Sequence, residues 1–177
     1  MWAFVTALVL QRLAELAWST RNARRLSGRG VREFGGRHFL VFVMLHALYP
    51  LTLACEVLIL GARPGPAWPL WLAVCVAAQA LRVWAIAALG PLWNVRVRVV
   101  PGMTPIRRGP YHFIPHPNYL AVALEFVAGP LMFGAWRTAI AFSLLNAVAM
   151  AVRIPVEERA LAWAATQPPE APSSAGS

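Results

Sequence analysis

A histidine flanked on both sides by proline is the most unusual local feature of the chain, at Pro115-His116-Pro117-Asn118-Tyr119. Because proline disfavours a helical conformation in the residue before it and suits the first position of a helix, this order predicts His116 as a helix N-cap. The free N–H groups and the dipole at such a helix end favour an anionic group, for example a ligand carboxylate. A plain proline break before a membrane helix explains the same residues without any chemistry, so the pattern alone leaves both interpretations open.

An arginine and a glutamate lie four residues apart further along the chain, at Arg153 and Glu157. This spacing places both side chains on one face of a helix, although Pro155 between them is expected to bend that turn. They form either an interfacial ion pair of little energetic weight or part of a functional site that also contains His116. No metal site is expected, because a proline interrupts the spacing of His112 and His116 and no third ligand is near.

Long apolar runs must position these residues, since 59% of the chain is hydrophobic and only 13% is charged. Such runs are typical of a polytopic membrane protein and exclude a soluble globular domain. The predicted spans cover residues 2–18, 39–60, 67–89, 118–133 and 138–153. The last two are short for a hydrocarbon core of roughly 30 Å, so they either cross a thinned region or dip in and return. The predicted fold is an all-α integral membrane protein with about five transmembrane segments, the last two forming a helical hairpin.

The charges are distributed asymmetrically: 16 arginines and seven glutamates give a net charge of +9. Six arginines follow the first predicted span, four lie between the third and fourth, and one lies in the turn after the second. Because an excess of arginine marks cytoplasmic loops, we expect the N-terminus outside and the loops around His116 and Glu157 on the cytoplasmic face. Membrane lipids with anionic headgroups are the expected partners of these arginines, and nucleic acid is not.

Charged residues also occur inside the predicted spans. Arg82 and Glu125 lie at matching depths, which predicts a structural ion pair between them, with Arg12 and Glu15 as alternative partners. Alternating valine and arginine at residues 95–100 predicts a short extended segment near the headgroups. The chain is organised as one membrane domain over residues 1–163, followed by a Pro/Ser/Ala-rich tail over 164–177 that is expected to be disordered.

The segment GPYHFIPHPNY, followed further along by RIPVEERAL, resembles the isoprenylcysteine carboxyl methyltransferase family of integral membrane enzymes. Upstream, QRLAEL and GRGVREFGGRHF resemble the bacterial branch of that family, described as alkylpyrone or phenolic-lipid O-methyltransferases. The resemblance implies S-adenosylmethionine as the methyl donor, bound in a cytoplasmic pocket closed by the loop before the hairpin and the helix after it. It also implies a lipophilic, membrane-resident acceptor, methylated on a carboxylate or on a phenol or pyrone hydroxyl, and a bacterial inner membrane as the location.

The resemblance further implies roles for individual residues. Glu157 contacts the cofactor and Arg153 faces the methyl acceptor, so these two are the expected catalytic residues. The other cofactor-binding residues expected by motif are Met103, Thr104, Pro105, Ile106, Tyr111, His116, Pro117, Asn118 and Tyr119. Two other interpretations stay open: a sterol or lipid reductase with a nicotinamide cofactor, and a non-catalytic membrane subunit or transporter component. The last gives no reason for the histidine turn and the Arg/Glu pair to meet at one face.

Overall fold

Within residues 1–36 and 39–168, which the computed structural model describes, the chain forms five α-helices and one two-stranded antiparallel ribbon. In chain order the helices are α1 (Trp2–Leu26), α2 (Phe39–Leu58), α3 (Trp68–Leu89), α4 (Pro117–Leu131) and α5 (Trp136–Thr166). The strands are β1 (Arg32–Phe34) and β2 (Val97–Val99), with Glu33 opposite Arg98. Short 3-10 helices at Gly90–Leu92 and Gly109–His112 lie in the long loop between α3 and α4.

Three segments among the described residues are long and apolar enough to cross a membrane: Phe39–Leu58, Trp68–Leu92 and Trp136–Thr166. Their outward side chains include large exposed apolar residues such as Leu51 and Leu144, and a surface of that kind is suited to lipid. The prediction of a mostly helical integral membrane protein is confirmed. The count of five spans stays a prediction, because α1 and α4 are not among these three segments.

Successive helices run in opposite directions, so their ends collect at two opposite faces. We call the face that holds the ends of α1, α3 and α5 and the starts of α2 and α4 the site face. There, the Asn22 amide donates hydrogen bonds to the carbonyls of Gly90 at 3.1 Å and Trp93 at 2.8 Å. At the opposite face, the Glu56 carboxylate accepts from the backbone N–H of Thr138 at 2.7 Å and from its hydroxyl at 2.6 Å. Glu56 therefore satisfies donors that the first turn of α5 leaves free.

Aromatic packing fixes α4 against its neighbours. The Phe126 ring contacts the rings of Tyr49 and Phe142, with centroid distances of 4.9 Å and 5.8 Å. A Cβ atom at Gly129 would meet the Tyr49 hydroxyl and the Phe4 ring, so only glycine permits this close approach. This packing fixes the second half of α4 against α1, α2 and α5.

The helix boundaries confirm some predictions and correct others. The spans at 39–60 and 67–89 correspond to α2 and α3, and β2 lies inside the predicted extended segment at 95–100. By contrast, α5 continues through Pro155 to Thr166, where the sequence had predicted an apolar segment ending near residue 153 and then a bend. Helix α5 also enters the predicted tail, which begins at residue 164; residues 169–177 of that tail lie outside the described residues.

The predicted direct ion pair between Arg82 and Glu125 is wrong, and the alternative partners expected from the sequence, Arg12 and Glu15, are the ones that these two residues use. Arg82 donates two hydrogen bonds to Glu15, at 2.5 Å and 2.6 Å, whereas Glu125 pairs with Arg12. Arg12 also pairs with Glu15 at 2.9 Å, so the four residues form one cluster that connects α1 with α3 and α4. The prediction used depth in the membrane alone, and the rotation of each helix decides which charges meet. We call Arg12, Glu15, Arg82 and Glu125 the charged quartet.

Candidate active site

The histidine turn begins α4 as the sequence predicted. His116 is the N-cap residue, and its carbonyl accepts hydrogen bonds from the backbone N–H groups of Tyr119 at 3.1 Å and Leu120 at 3.2 Å. The His116 and Tyr119 rings stack, with centroids 5.4 Å apart and planes 18° apart. His116 Nε2 also lies 3.4 Å from a carboxylate oxygen of Glu158 on α5. The imidazole is therefore held between α4 and α5.

Arg153 and Glu157 face the same space but do not pair directly, because the Tyr119 hydroxyl lies between them. Arg153 Nε donates to the Tyr119 oxygen at 3.0 Å, and the Tyr119 hydroxyl donates to the Glu157 carboxylate. Arg153 Nη2 donates to the carbonyl of Val95 at 2.6 Å, and the guanidinium carbon lies 5.0 Å from the centre of the Phe42 ring. These contacts use two of the five N–H donors of the guanidinium, and no described residue takes the others.

These side chains line one cavity of about 630 Å³. Its size falls in the range of roughly 300–1,000 Å³ that is usual for cofactor and small-molecule sites. The predicted site residues in its wall are Met103, Thr104, Pro105, Ile106, Tyr111, His116, Asn118, Tyr119, Arg153 and Glu157. Pro117 is the exception, because it is fully buried as the first residue of α4 and does not reach the cavity.

The isoprenylcysteine carboxyl methyltransferase (ICMT) family matches residues 71–163, which is more than half of the 177-residue chain and includes most of this wall. The chain belongs to the ICMT family. It is 38% identical over 160 residues to uncharacterized protein YpbQ of Bacillus subtilis (strain 168), covering 90% of this chain and 95% of that protein. An uncharacterized protein of Haemophilus influenzae is 24% identical over 151 residues, covering 85% of this chain and 88% of the relative. No solved structure matches the chain significantly. ICMT membership, together with the apolar helices, implies a methyltransferase of the membrane.

Two polar side chains of this ICMT-family cavity are available to a ligand. The Asn118 Oδ1 atom is buried without a hydrogen-bond partner among the described residues, so a donor from a bound molecule would complete it. Burial, and after it the nearby Glu157 carboxylate, raises the pKa of Tyr111 above its ordinary value. The Tyr111 phenol therefore stays protonated at neutral pH and is a hydrogen-bond donor.

The same cavity also reaches the outer surface of the molecule between α1 and α2. Its wall there includes Val9, Leu13 and Leu16 on α1 and Val43 on α2. These apolar side chains are exposed by 43%, 58%, 47% and 40% respectively, so they form the cavity wall and the outer surface at once. The ICMT-family cavity thus connects a polar end at the site face with an apolar side opening.

Sequence reasoning missed several residues of this cavity. Phe42 lies in a continuous apolar run, where nothing distinguishes it from the aromatic residues of the core. Val95 acts through its backbone carbonyl, which leaves no signal in the side-chain pattern. The charged quartet was identified from the sequence but was assigned only a structural ion pair. His46 carries the same signal, a polar residue within an apolar span, and was not singled out. Among residues 1–36 and 39–168, no group of three or more His, Cys, Asp or Glu side chains could hold a metal ion.

Proposed function

We propose that the protein transfers a methyl group from S-adenosylmethionine to an oxygen atom of a lipophilic acceptor that resides in the membrane. The observation that carries this proposal is the single cavity with two kinds of wall. At one end Asn118, Glu157 and Arg153 offer polar groups, and at the side between α1 and α2 exposed leucine and valine side chains line it. A water-soluble donor and a lipid acceptor can meet only in a site that opens to both phases.

The polar end suits S-adenosylmethionine, whose amino and hydroxyl groups are hydrogen-bond donors. The unpartnered Asn118 Oδ1 atom and the Glu157 carboxylate, which receives one hydrogen bond from Tyr119, are acceptors for such groups. The Glu157 carboxylate also offsets a positive charge on a bound cofactor. The loop residues Met103 to Ile106 also line this cavity. When bound, S-adenosylmethionine supplies an electrophilic methyl group.

Arg153 would hold the acceptor oxygen. Its guanidinium is fixed by Val95, Tyr119 and the Phe42 ring, so it keeps its position without a ligand. A positive charge at that point stabilises a carboxylate or phenolate oxygen and favours the deprotonated, nucleophilic form. Methyl transfer by displacement depends chiefly on alignment of the two reacting groups, and a fixed arginine supplies alignment.

We place the site face in the cytoplasm of a bacterial cell and the N-terminus outside its inner membrane. The basis is the arginine distribution, because the loops between α1 and α2 and between α3 and α4 are rich in arginine and both lie at the site face. A cytoplasmic location also gives the site access to a soluble cofactor.

Calorimetric titration of the detergent-solubilised protein with S-adenosylmethionine tests the proposal. We expect binding that weakens at least tenfold in Glu157→Gln and in Asn118→Leu. The exposed Arg159 donates to the carbonyl of Pro155 outside the cavity, so Arg159→Gln serves as the control and should bind as the parent chain does.

Two results would contradict the proposal. The first is no detectable heat with S-adenosylmethionine but saturable binding of a nicotinamide cofactor, which would favour a membrane reductase. The second is no binding of either cofactor, which would favour a non-catalytic membrane subunit. Binding that is unchanged in both Glu157→Gln and Asn118→Leu would refute the site while leaving the family assignment intact.

A further inference from the structure

Helix α1 carries a second recess, of about 620 Å³, on the outer surface of the molecule. We call it the α1 groove. Leu13, Leu16 and Ala17 line its apolar half, and all three side chains are exposed. An exposed apolar surface on a predicted membrane span is suited to a lipid chain. Leu13 and Leu16 also line the side opening of the active-site cavity, so the groove lies directly beside that opening.

The other half of the α1 groove is basic. Arg21, Arg24 and Arg25 line it from the last two turns of α1, and all three side chains are exposed. Their guanidinium groups form no ion pair with any described residue. The Thr20 hydroxyl, between the two halves, donates to the carbonyl of Leu16 at 2.9 Å. The guanidinium groups are therefore the donors that the groove offers to a ligand.

The two halves of the groove match the two parts of a lipid in depth. Trp18 lies between them along α1 and is 55% exposed, and exposed tryptophan is typical of the membrane interface. The three arginines follow Trp18 by about 5–10 Å along the helix axis, on the side of the site face. They therefore lie at the level of the headgroups, whereas Leu13 and Leu16 lie at the level of the acyl chains.

The charge around the basic half favours an anionic group. Arg24 also lines a neighbouring recess between the end of α1 and the ribbon of β1 and β2. Arg96 and Arg98 line that recess too, and both pair with Glu33, at 2.6 Å and 2.9 Å. Together the two recesses present five arginines and one glutamate, a net charge of +4. A head group with a net negative charge is attracted to such a surface more strongly than a zwitterionic one.

We propose that the α1 groove is a binding site for an anionic phospholipid. One acyl chain lies along Leu13, Leu16 and Ala17, and the phosphate accepts hydrogen bonds from Arg21 and Arg24. A soluble phosphate would leave the apolar half of the groove exposed to water. A second copy of the chain, packed symmetrically on this face, would bring arginines against arginines.

The bound lipid would form one edge of the side opening, because the groove and the opening share two leucines. Neither Arg21 nor Arg24 lines the active-site cavity. The site is therefore independent of the proposed methyl transfer, and cofactor affinity provides a separate measurement.

Native mass spectrometry of the detergent-solubilised protein, titrated with one lipid at a time, tests the site. The probes are palmitoyl-oleoyl phosphatidylglycerol and palmitoyl-oleoyl phosphatidylcholine, which share both acyl chains and differ in the charge of the head group. We expect the first molecule of phosphatidylglycerol to bind about tenfold more tightly, or about 1.4 kcal/mol, which is the order expected for one or two arginines near an anionic lipid. Equal affinities for the two lipids would overturn the proposal.

Two double variants separate the groove from the overall charge of the protein. Arg21→Gln/Arg24→Gln removes two exposed arginines that have no described ion-pair partner, and should reduce the preference for phosphatidylglycerol to about twofold. Arg29→Gln/Arg159→Gln is the matched control, because it removes the same charge from exposed residues at the site face that lie outside the groove. The control should keep the tenfold preference, and an equal loss in both variants would show that overall charge alone selects the lipid.

Two further measurements complete the test. Glycerol phosphate carries the same phosphate without acyl chains, so an excess of it should leave phosphatidylglycerol bound. Displacement of the lipid would show a site for soluble phosphates and would contradict the proposal. Affinity for S-adenosylmethionine should be the same in Arg21→Gln/Arg24→Gln as in the parent chain. A loss of lipid preference together with a similar loss of cofactor affinity would indicate a damaged fold and would also contradict the proposal.

Discussion

Removing the hydroxyl of Tyr119 should uncouple the two charged residues of the site. That hydroxyl accepts from Arg153 and donates to Glu157, and the two charged residues lie four apart on one continuous helix. In Tyr119→Phe we expect them to pair directly, as opposite charges at this spacing do. The Glu157 carboxylate would then turn away from the cavity, and cofactor binding would have to pull it back.

The size of the effect follows from the contacts that change. The hydrogen bond from Tyr119 to Glu157 is present with and without the cofactor, so its loss cancels from the affinity. Cofactor binding to the variant must break the new ion pair, which costs about 0.5–1 kcal/mol, so affinity for S-adenosylmethionine should fall roughly 2- to 5-fold. Calorimetry on the solubilised protein measures this fall directly.

A matched control removes a different tyrosine hydroxyl. Tyr49 lies in the inner wall of the cavity, about two helical turns along α2 from Phe42, and its hydroxyl donates to the backbone carbonyl of Glu125 at 3.3 Å. Tyr49→Phe should lower the thermal midpoint while keeping the affinity for S-adenosylmethionine within about twofold of the parent. A Tyr119→Phe protein that binds the cofactor as tightly as the parent would refute the bridging role of this hydroxyl.

Three further predictions concern stability, measured as the thermal midpoint in detergent. Glu56→Gln replaces one of the two oxygens that accept from the first turn of α5 with an NH2 group, which cannot accept. The free energy of unfolding should fall by about 2 kcal/mol, and cofactor affinity should not change. Gly129→Ala should lower the free energy of unfolding by about 1–3 kcal/mol, because the new Cβ meets the Tyr49 hydroxyl. Gly65→Ala is the control, because the space around Gly65 is open and its stability should not change. Burial opposes ionisation of Glu33, but hydrogen bonds from its two arginine neighbours outweigh burial and lower the pKa of its carboxyl. The ion pairs of Glu33 therefore add fully to the free energy of unfolding above the ordinary carboxyl pKa of about 4.3. This stabilisation is lost as the pH falls through the lower pKa of Glu33 in the folded protein, so the thermal midpoints of the parent and Glu33→Gln should converge in acid.

Local chemistry explains why parts of this protein could be predicted from its sequence. Pro117 fixes the start of α4 and makes His116 the N-cap, because both effects depend on neighbouring residues only. The ends of α2 and α3 follow from apolar runs bounded by Gly and Pro. Arg153 and Glu157 are four residues apart in one helix, so the sequence was enough to predict that they share a face of it.

Contacts between distant segments could not be predicted in the same way. Strand β1 has only three residues, and its pairing with β2 joins positions more than sixty residues apart, as in Glu33 with Arg98. The partners within the charged quartet depend on how each helix is rotated, and that rotation is set by packing of the whole bundle. Tyr119 was expected to bind the cofactor, but its place between Arg153 and Glu157 required the three-dimensional arrangement of α4 and α5.

The length of α5 sets the depth in the membrane at which Arg153 and Glu157 lie. Thirty-one residues in an unbroken helix extend about 46 Å, well beyond a hydrocarbon core of about 30 Å. The last turns of α5 therefore extend beyond the hydrocarbon core at the site face. Arg153 and Glu157 lie on this helix, so their depth in the bilayer is fixed. Under the proposed function, a lipid acceptor of any tail length must bring its reactive oxygen to that one level, so we expect bilayer thickness to change turnover more strongly than the length of the acceptor tail.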